Sequence, residues 1–202
     1  MSDANSFALV VPAREHLASY TAALEMRWSP NSMRDVSGEQ LVAIRADGDA
    51  FLASLIPRPG DTLTIDGKVV ERLPGCVRWM WDGTFAGSIN FRHVPGTMAL
   101  PAHVLGHIGY SVVPWKRRRG YATRALGLML GVARDAGMDA VEVDCDSLNA
   151  LSRRVIEANG GVLARRIPNP HEGQEGRTEL VFRLPCPAPA TGTAPPPLPA
   201  CG

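Results

Sequence analysis

The chain has 202 residues, 45% of them hydrophobic and 20% charged, with a formal net charge of +1; it can bury one sizeable core, and it offers no global attraction for nucleic acid or an anionic membrane. Four cysteines, Cys76, Cys145, Cys186 and Cys201, form no CxxC pair, no disulfide framework and no zinc-ribbon spacing. The N-terminal apolar run is five residues, interrupted by Pro12, too short for a signal-peptide core, and nothing later approaches a membrane span, so a cytoplasmic location is expected.

After a short extended piece at residues 7–11, Leu17, Tyr20, Ala23, Leu24 and Trp28 recur at spacings of three and four, which predicts an amphipathic helix. Ser37 is a candidate cap for a second helical stretch, broken at Gly48 and closed by Pro57. From about Thr62 the texture changes. Asp66-Gly67 and Asp82-Gly83 are turn signals between runs rich in β-branched and aromatic residues, so antiparallel hairpins are expected. Trp79, Trp81 and Phe91 alternate along these strands; core packing is the favoured reading and a stacking platform for bases the alternative.

Residues 107–114 read as a strand, 121–137 as a helix ending at Gly137, and 140–145 as a second strand. Ala122, Ala125, Leu126, Met129, Val132, Ala133 and Ala136 make one apolar face of that helix. A further helix over 149–159 stops at Gly160-Gly161, and a strand over 178–184 ends a single domain spanning 1–184. Residues 185–202 carry seven prolines and no charge, the composition of a disordered tail.

Lys116, Arg117, Arg118 and Arg119 stand where the strand turns into the long helix. A helix N-terminus has unpaired N–H groups and a positive partial charge, which suits an anion when small residues such as Gly120 and Ala122 allow approach. The bland alternative is a solvated basic turn. Neither the P-loop pattern nor the dinucleotide-binding glycine pattern is present. What remains is Arg117-x-x-Gly120-x-Ala122 after a strand and before a helix. With the strand over 141–145 and the later Asn149-x-x-Ser152-x-x-Val155-Ile156-Glu157-x-x-Gly160, this order resembles the GNAT acetyltransferase superfamily over about residues 8–184.

The resemblance implies an α/β (α+β) fold with a mixed, mostly antiparallel central sheet flanked by helices, in which a splayed strand pair forms the acetyl-CoA cleft. It implies acetyl-CoA as co-substrate, its pyrophosphate held by amides of Arg117, Arg118, Arg119, Gly120, Tyr121 and Ala122 with help from Thr123. Val112 and Val113 would hold the acetyl and pantetheine part by backbone hydrogen bonds, and Asn149 and Ser152 would meet the pantetheine region. The implied activity is N-acetylation of a primary amine, on a small molecule, a peptide or a protein, by direct attack. A homodimer is compatible with this, and neither nucleic acid nor membrane is an expected partner.

Strand alternation puts Glu142, Asp144 and Asp146 on one face, and Asp144 lies five residues before Asn149, an offset at which some GNAT enzymes place a catalytic glutamate. Asp144 is the first candidate base and Glu142 the second, against the alternative of strand-end carboxylates paired with Arg153 or Arg154. Ile156 occupies the position of the family's usual acidic tyrosine, so Tyr110, Ser152, Tyr121 or water would have to serve. His107 is a further acid/base candidate. His103 and His107 are about 13 Å apart if extended, too far to share an ion, so no metal is expected. A catalytically silent acyl-CoA sensor and, more distantly, a nucleic-acid-binding module are the competing functional classes.

Overall fold

The computed structural model describes residues 7–31, 34–58, 60–65, 67–169 and 176–188. The Pro-rich segment from residue 189 onward, Cys201 included, lies outside the described residues. Strand β1 (Ala8–Val10) precedes helices α1 (Arg14–Glu25), α2 (Ser37–Ala46) and α3 (Gly48–Ser54). Strands β2 (Thr62–Ile65), β3 (Lys68–Glu71), β4 (Gly75–Trp81), β5 (Phe85–Arg92) and β6 (Ile108–Val112) follow. Helix α4 (Tyr121–Asp135), β7 (Ala140–Asp146), α5 (Ala150–Ala158), β8 (Val162–Pro168) and β9 (Thr178–Pro185) complete the order.

Two sheets carry the fold, one in the order β1-β4-β5-β6 and one in the order β7-β9-β8, with β2-β3 a separate hairpin. All of these pairings are antiparallel. The Asp82-Gly83 turn joins β4 to β5 as its composition predicts, with Gly83 at φ 100°, where a side chain would be strained.

Period-two alternation sends side chains to two cores. On one face Met80, Ile89, Ile108, Val141, Val143 and Phe182 pack with Leu126 and Met129 of α4 and Ile156 of α5. On the other, Trp79, Phe85 and Val113 pack with Leu17, Tyr20 and Leu24 of α1, Trp28 and Phe51 of α3. The rings of Tyr20 and Trp79 stack at 4.4 Å. Trp79 and Phe91 are buried, so neither is a stacking platform for bases. Burying aromatic surface on both sides is what holds this sheet between its two helical layers.

Several local expectations need adjustment. Ser37 begins α2 without capping it; Asp35 accepts from the Ser37 N–H instead, at 2.9 Å. Asp47 is the N-cap of α3, accepting from Asp49 and Ala50. On α4, Tyr121 and Leu130 join the buried face while Ala136 is exposed. Strand β8 was not among the predicted elements. Cys76 is disulfide-bonded, whereas Cys145 and Cys186 are free, a pairing that scattered spacing cannot announce. Just past β9, the Cys186 N–H bonds to Asp139 O at 2.8 Å and Arg134 to Pro187 O at 3.2 Å, so ordered contacts run beyond residue 184.

The feature that positions the site is where the two sheets meet. The His107 N–H donates to Glu142 O at 2.7 Å, and the Glu142 N–H donates to His107 Nδ1 at 3.0 Å. Among the described residues no ladder joins β6 to β7 beyond this point. The strands part from a vertex at His107.

Candidate active site

Backbone direction along β6 decides what lines the opening. The His107 carbonyl accepts from the Arg92 N–H at 2.9 Å and the Val113 N–H donates to Ala86 O at 3.0 Å, so His107 O, Gly109, Ser111 and Val113 serve β5. Alternation then turns the peptide groups of Ile108, Tyr110 and Val112 toward the gap beside β7. Val112 therefore faces the gap, with its carbonyl accepting from Arg117 Nε at 3.2 Å. Val113 does not: its N–H is used by β5 and its side chain is buried against the α1–α3 layer. Adjacent residues of a strand cannot both address the same edge, and the carbonyl-bearing positions that the sequence reading missed are Ile108 and Tyr110.

At the far end of β6 a turn at Pro114–Lys116 leads to the basic loop. Lys116 is buried and is not part of an anion site. Its Nζ bonds to Asp82 Oδ1 at 2.6 Å and to Thr84 Oγ1, while the Tyr121 hydroxyl donates to Asp82 Oδ2 at 2.5 Å. Burial alone would raise the Asp82 carboxyl, but the hydrogen bonds from Lys116 and Tyr121 outweigh it and bring it down to about 2. The β4–β5 turn thus clamps both sides of the loop, from Lys116 before it and Tyr121 after it.

Between these clamps Arg118 and Gly120 take the left-handed conformation, at φ 62° and 77°. Arg117, Arg118, Arg119 and Gly120 are exposed, and nothing would touch a Cβ at Gly120. Its glycine answers to backbone conformation rather than to crowding. Gly120 supplies no side-chain cap to α4, whose first turn has no acidic residue and whose first bond runs from Arg124 N–H to Gly120 O at 3.0 Å. The N–H groups of Tyr121, Ala122 and Thr123 are the ones that helix geometry leaves over. Two arginines and an uncapped fifteen-residue helix meet at the open end of the β6–β7 gap.

On the α4–α5 side of the gap, the Tyr110 hydroxyl sits 2.8 Å from Ser152 Oγ and 3.3 Å from Ser152 O, bridging β6 to the first turn of α5. Burial pushes the Tyr110 phenol up to about 12. Asn149 caps α5 by accepting from the Ser152 N–H at 3.1 Å, so its carbonyl oxygen already has a local partner. Cys145 is a buried thiol on the same side, raised to about 11 chiefly by burial. Ile156 belongs to the core.

On the opposite side, β7 alternates as expected, with Val141, Val143 and Cys145 buried and Glu142, Asp144 and Asp146 half-buried. Glu142 accepts two hydrogen bonds from Arg165, at 2.5 and 2.7 Å, which hold its carboxyl below the ordinary range. A carboxylate so paired is a poor proton acceptor, and Glu142 loses its candidacy as a base on that ground. Asp144 lies against Gly106, where a Cβ would come within 2.5 Å of Asp144 Oδ1. The guanidinium of Arg92, lowered by burial and partly restored by the charge of Asp144, donates to Gly106 O at 2.8 Å. Arg153 pairs with Glu157. Glu179 of β9, directly opposite Asp146, is a buried carboxyl on this same face that sequence reading did not single out. Burial raises it, as do Asp144 and Asp146, while Asn169 donates to it at 2.7 Å.

His107 is fully buried at the vertex, and burial lowers its imidazole. Its Nδ1 accepts the Glu142 N–H, so the ring fastens the two strands, while its Nε2 is buried with no hydrogen-bond partner among the described residues. Among the described residues no group of three or more His, Cys, Asp or Glu side chains is placed to hold a metal.

Solved structures with this fold include RimL, a ribosomal L7/L12 alpha-N-protein acetyltransferase in complex with coenzyme A, at 13% identity and TM-score 0.60, covering 90% of this chain and 94% of that one. Mycobacterium smegmatis RimJ in complex with CoA-disulfide is 18% identical at TM-score 0.58, covering 90% and 83%. The microcin C7 self-immunity acetyltransferase MccE, in complex with acetyl-CoA and AMP, is 11% identical at TM-score 0.57, covering 90% and 93%. No curated protein sequence matches the chain. The family model described as an acetyltransferase (GNAT) domain matches residues 13–162, most of the sequence, and the chain belongs to the GNAT acetyltransferase family.

Proposed function

We propose that this acetyltransferase uses acetyl-CoA to acetylate a primary amine. The observation that carries the reading is the uncapped α4 N-terminus with Arg118 and Arg119 at one end of a gap whose other end closes at His107. Acetyl-CoA would supply an activated thioester carbonyl at the end of a long arm carrying a pyrophosphate. The amides of Tyr121, Ala122 and Thr123 suit the pyrophosphate, and the free edge of β6 at Ile108, Tyr110 and Val112 suits the arm. Coenzyme A or acetyl-CoA in the structures of RimL, RimJ and MccE supports that choice of donor, and the alpha-N-protein activity of RimL supports an amine as acceptor.

The arm would run from the basic loop back along β6, which brings its reactive end toward the vertex. There Asp144 faces one side and Tyr110 with Ser152 the other. The incoming nitrogen must be neutral to attack, and Asp144 is the carboxylate positioned to draw an ammonium and take its proton, directly or through water. The Tyr110 hydroxyl, fixed by Ser152, can donate a hydrogen bond to the sulfur as negative charge develops on it, a role the core residue Ile156 cannot fill.

The testing variant is Gly120→Val. A β-branched side chain in left-handed backbone costs about 1–2 kcal/mol and crowds the phosphate approach, so acetyl-CoA affinity should fall at least about tenfold. Calorimetry on the folded variant checks the binding, and mass spectrometry of acetyl transfer to an amine mixture checks the activity. Unchanged acetyl-CoA affinity in Gly120→Val would remove the assignment of the loop.

A further inference from the structure

Acetyl transfer needs a second molecule to reach the thioester, and the fold leaves it one side. Toward α4 and α5 the gap is backed by the core at Ile108, Val143 and Ile156 and by the Tyr110–Ser152 bridge, so an acceptor reaches the reacting end from the opposite face, the one that carries Asp144. On that face Val77 of β4, Asn90 of β5 and Gly109 of β6 lie side by side across the sheet. Val77 packs against the α1–α3 aromatic core, which fixes the side of the sheet that Asn90 occupies.

Asn90 is half-buried, and its Oδ1 is buried without a hydrogen-bond partner among the described residues. Its polar neighbours are engaged: Ser111 Oγ accepts from Trp28 Nε1 at 3.1 Å, and Arg92 Nε donates to Gly106 O at 2.8 Å. A buried carbonyl oxygen left unpaired costs free energy, so folded chains keep few of them. The carboxamide leans over Gly109, where a Cβ would come within 3.3 Å of Oδ1 and 3.6 Å of Nδ2. The missing side chain leaves room there, and the terminal torsion of an asparagine is soft, so the oxygen can turn to a donor arriving over Gly109.

Neighbouring strands are about 4.8 Å apart, so a carboxamide over Gly109 stands roughly 5 Å from a nitrogen attacking in the gap beyond β6. That is too far for a bond to the amine itself and suits a donor about three bonds beyond it. We propose that Asn90 is a specificity-determining residue of the acceptor site, whose oxygen accepts a hydrogen bond from an N–H or O–H about three bonds from the acetylated nitrogen. The acceptor class this names is primary amines with a neighbouring polar donor, such as amino alcohols and amino amides. The inference rests on the acetyl transfer proposed above. An acceptor lacking the donor would leave Asn90 Oδ1 unpaired beneath it, and a site built around such a bond rejects the analogue that cannot make it.

The test pairs ethanolamine with methoxyethylamine and glycinamide with glycine methyl ester, the second of each pair lacking the donor, and follows acetylated product by mass spectrometry. In the wild type kcat/KM should favour the donor-bearing member of at least one pair by about tenfold or more. The pair that responds tells O–H from N–H recognition. In Asn90→Leu, with acetyl-CoA affinity unchanged by calorimetry, that preference should shrink to about twofold or less, while Asn90→Asp, which keeps an acceptor oxygen, should retain more of it. Asn90→Ala repeats the comparison without the bulk of leucine. No preference in either pair, or Asn90 variants that slow all the amines equally, would overturn the role of Asn90 while leaving acetyl transfer to amines intact. Loss of acetyl-CoA affinity in both Asn90→Leu and Asn90→Ala would overturn it too, by placing Asn90 in the cofactor bed. A wild-type chain that binds no acetyl-CoA, or binds it and acetylates no amine, would remove the underlying reading and this inference with it.

Discussion

Asp82 receives hydrogen bonds from Lys116 and Tyr121 and so holds the loop between them by both ends, although it lies far from the loop in sequence. It touches no phosphate position itself, which makes it a positioning residue. Asp82→Asn keeps the shape but removes the charge that both partners answer to, leaving Lys116 buried with a weakened partner. The expected outcome is a five- to twentyfold rise in the acetyl-CoA dissociation constant, in line with about 1–2 kcal/mol for a charge-assisted hydrogen bond. Turnover at saturating acetyl-CoA should change little, because the residues at the vertex are untouched. A fall in kcat with unchanged cofactor KM would show that Asp82 acts on the chemistry or on the fold at large. The carboxyl is depressed in the folded chain, so its contribution to stability is present above about pH 4 and fades as the pH falls toward 2. Asp82→Asn should accordingly show less loss of melting temperature over that acid window than the wild type does.

The junction of β6 and β7 depends on His107 as an acceptor inside a closed site. His107→Leu leaves the Glu142 N–H unpaired, at a cost of about 1–3 kcal/mol, whereas His107→Asn retains an acceptor and should recover part of it. Burial lowers the imidazole, Glu142 partly opposes this, and Arg92 and His93 add to it. The unfolded chain therefore takes up the proton first: the contribution of neutral His107 is complete above about pH 6.5 and declines as the pH falls below it. Melting temperatures from pH 7.5 to 5.5 should slope less in His107→Leu, while the shape of the pH–rate profile is preserved. A lost limb in that profile would return His107 to acid/base chemistry. The same strands show what pattern reading reaches. The periodicity of α4, the alternation of β7 and the turn at Gly83 were legible because each buries one face of a regular element. Strand β8 was not legible: as an edge strand exposed along nearly its whole length, Val162 through Arg166 bears no buried face to leave a period. Arg117-x-x-Gly120 was readable as a loop, but the removal of Lys116 into an ion pair with Asp82 depends on a contact between distant segments, as do the Glu142–Arg165 pair and the burial of Glu179.

The two sheets share one core through α4 and α5 yet, among the described residues, their edges are hydrogen-bonded only around His107 and Glu142, so the gap between them is a seam. Peptide groups of Ile108, Tyr110 and Val112 along that seam lack strand partners on the β7 side, and in the absence of a ligand they exchange with solvent more readily than amides in a ladder. A cofactor laid from the basic loop to the vertex would bridge both sheets and supply those missing partners. Saturation at about a hundred times the dissociation constant adds about 2.7 kcal/mol to stability, which for a chain of this size corresponds to a rise of about 5–10 °C in melting temperature. Hydrogen exchange should slow at three separated places together, namely residues 108–112, residues 117–124 and the β7 edge at 142–146. The α1–α3 face, whose aromatic core does not line the gap, should be unaffected. Protection confined to residues 117–124 would mean that the ligand is held by the loop alone and that the gap between β6 and β7 is not its bed. The assignment of Asp144 and Tyr110 to the reacting end would then fail with it, since both depend on the arm reaching the vertex.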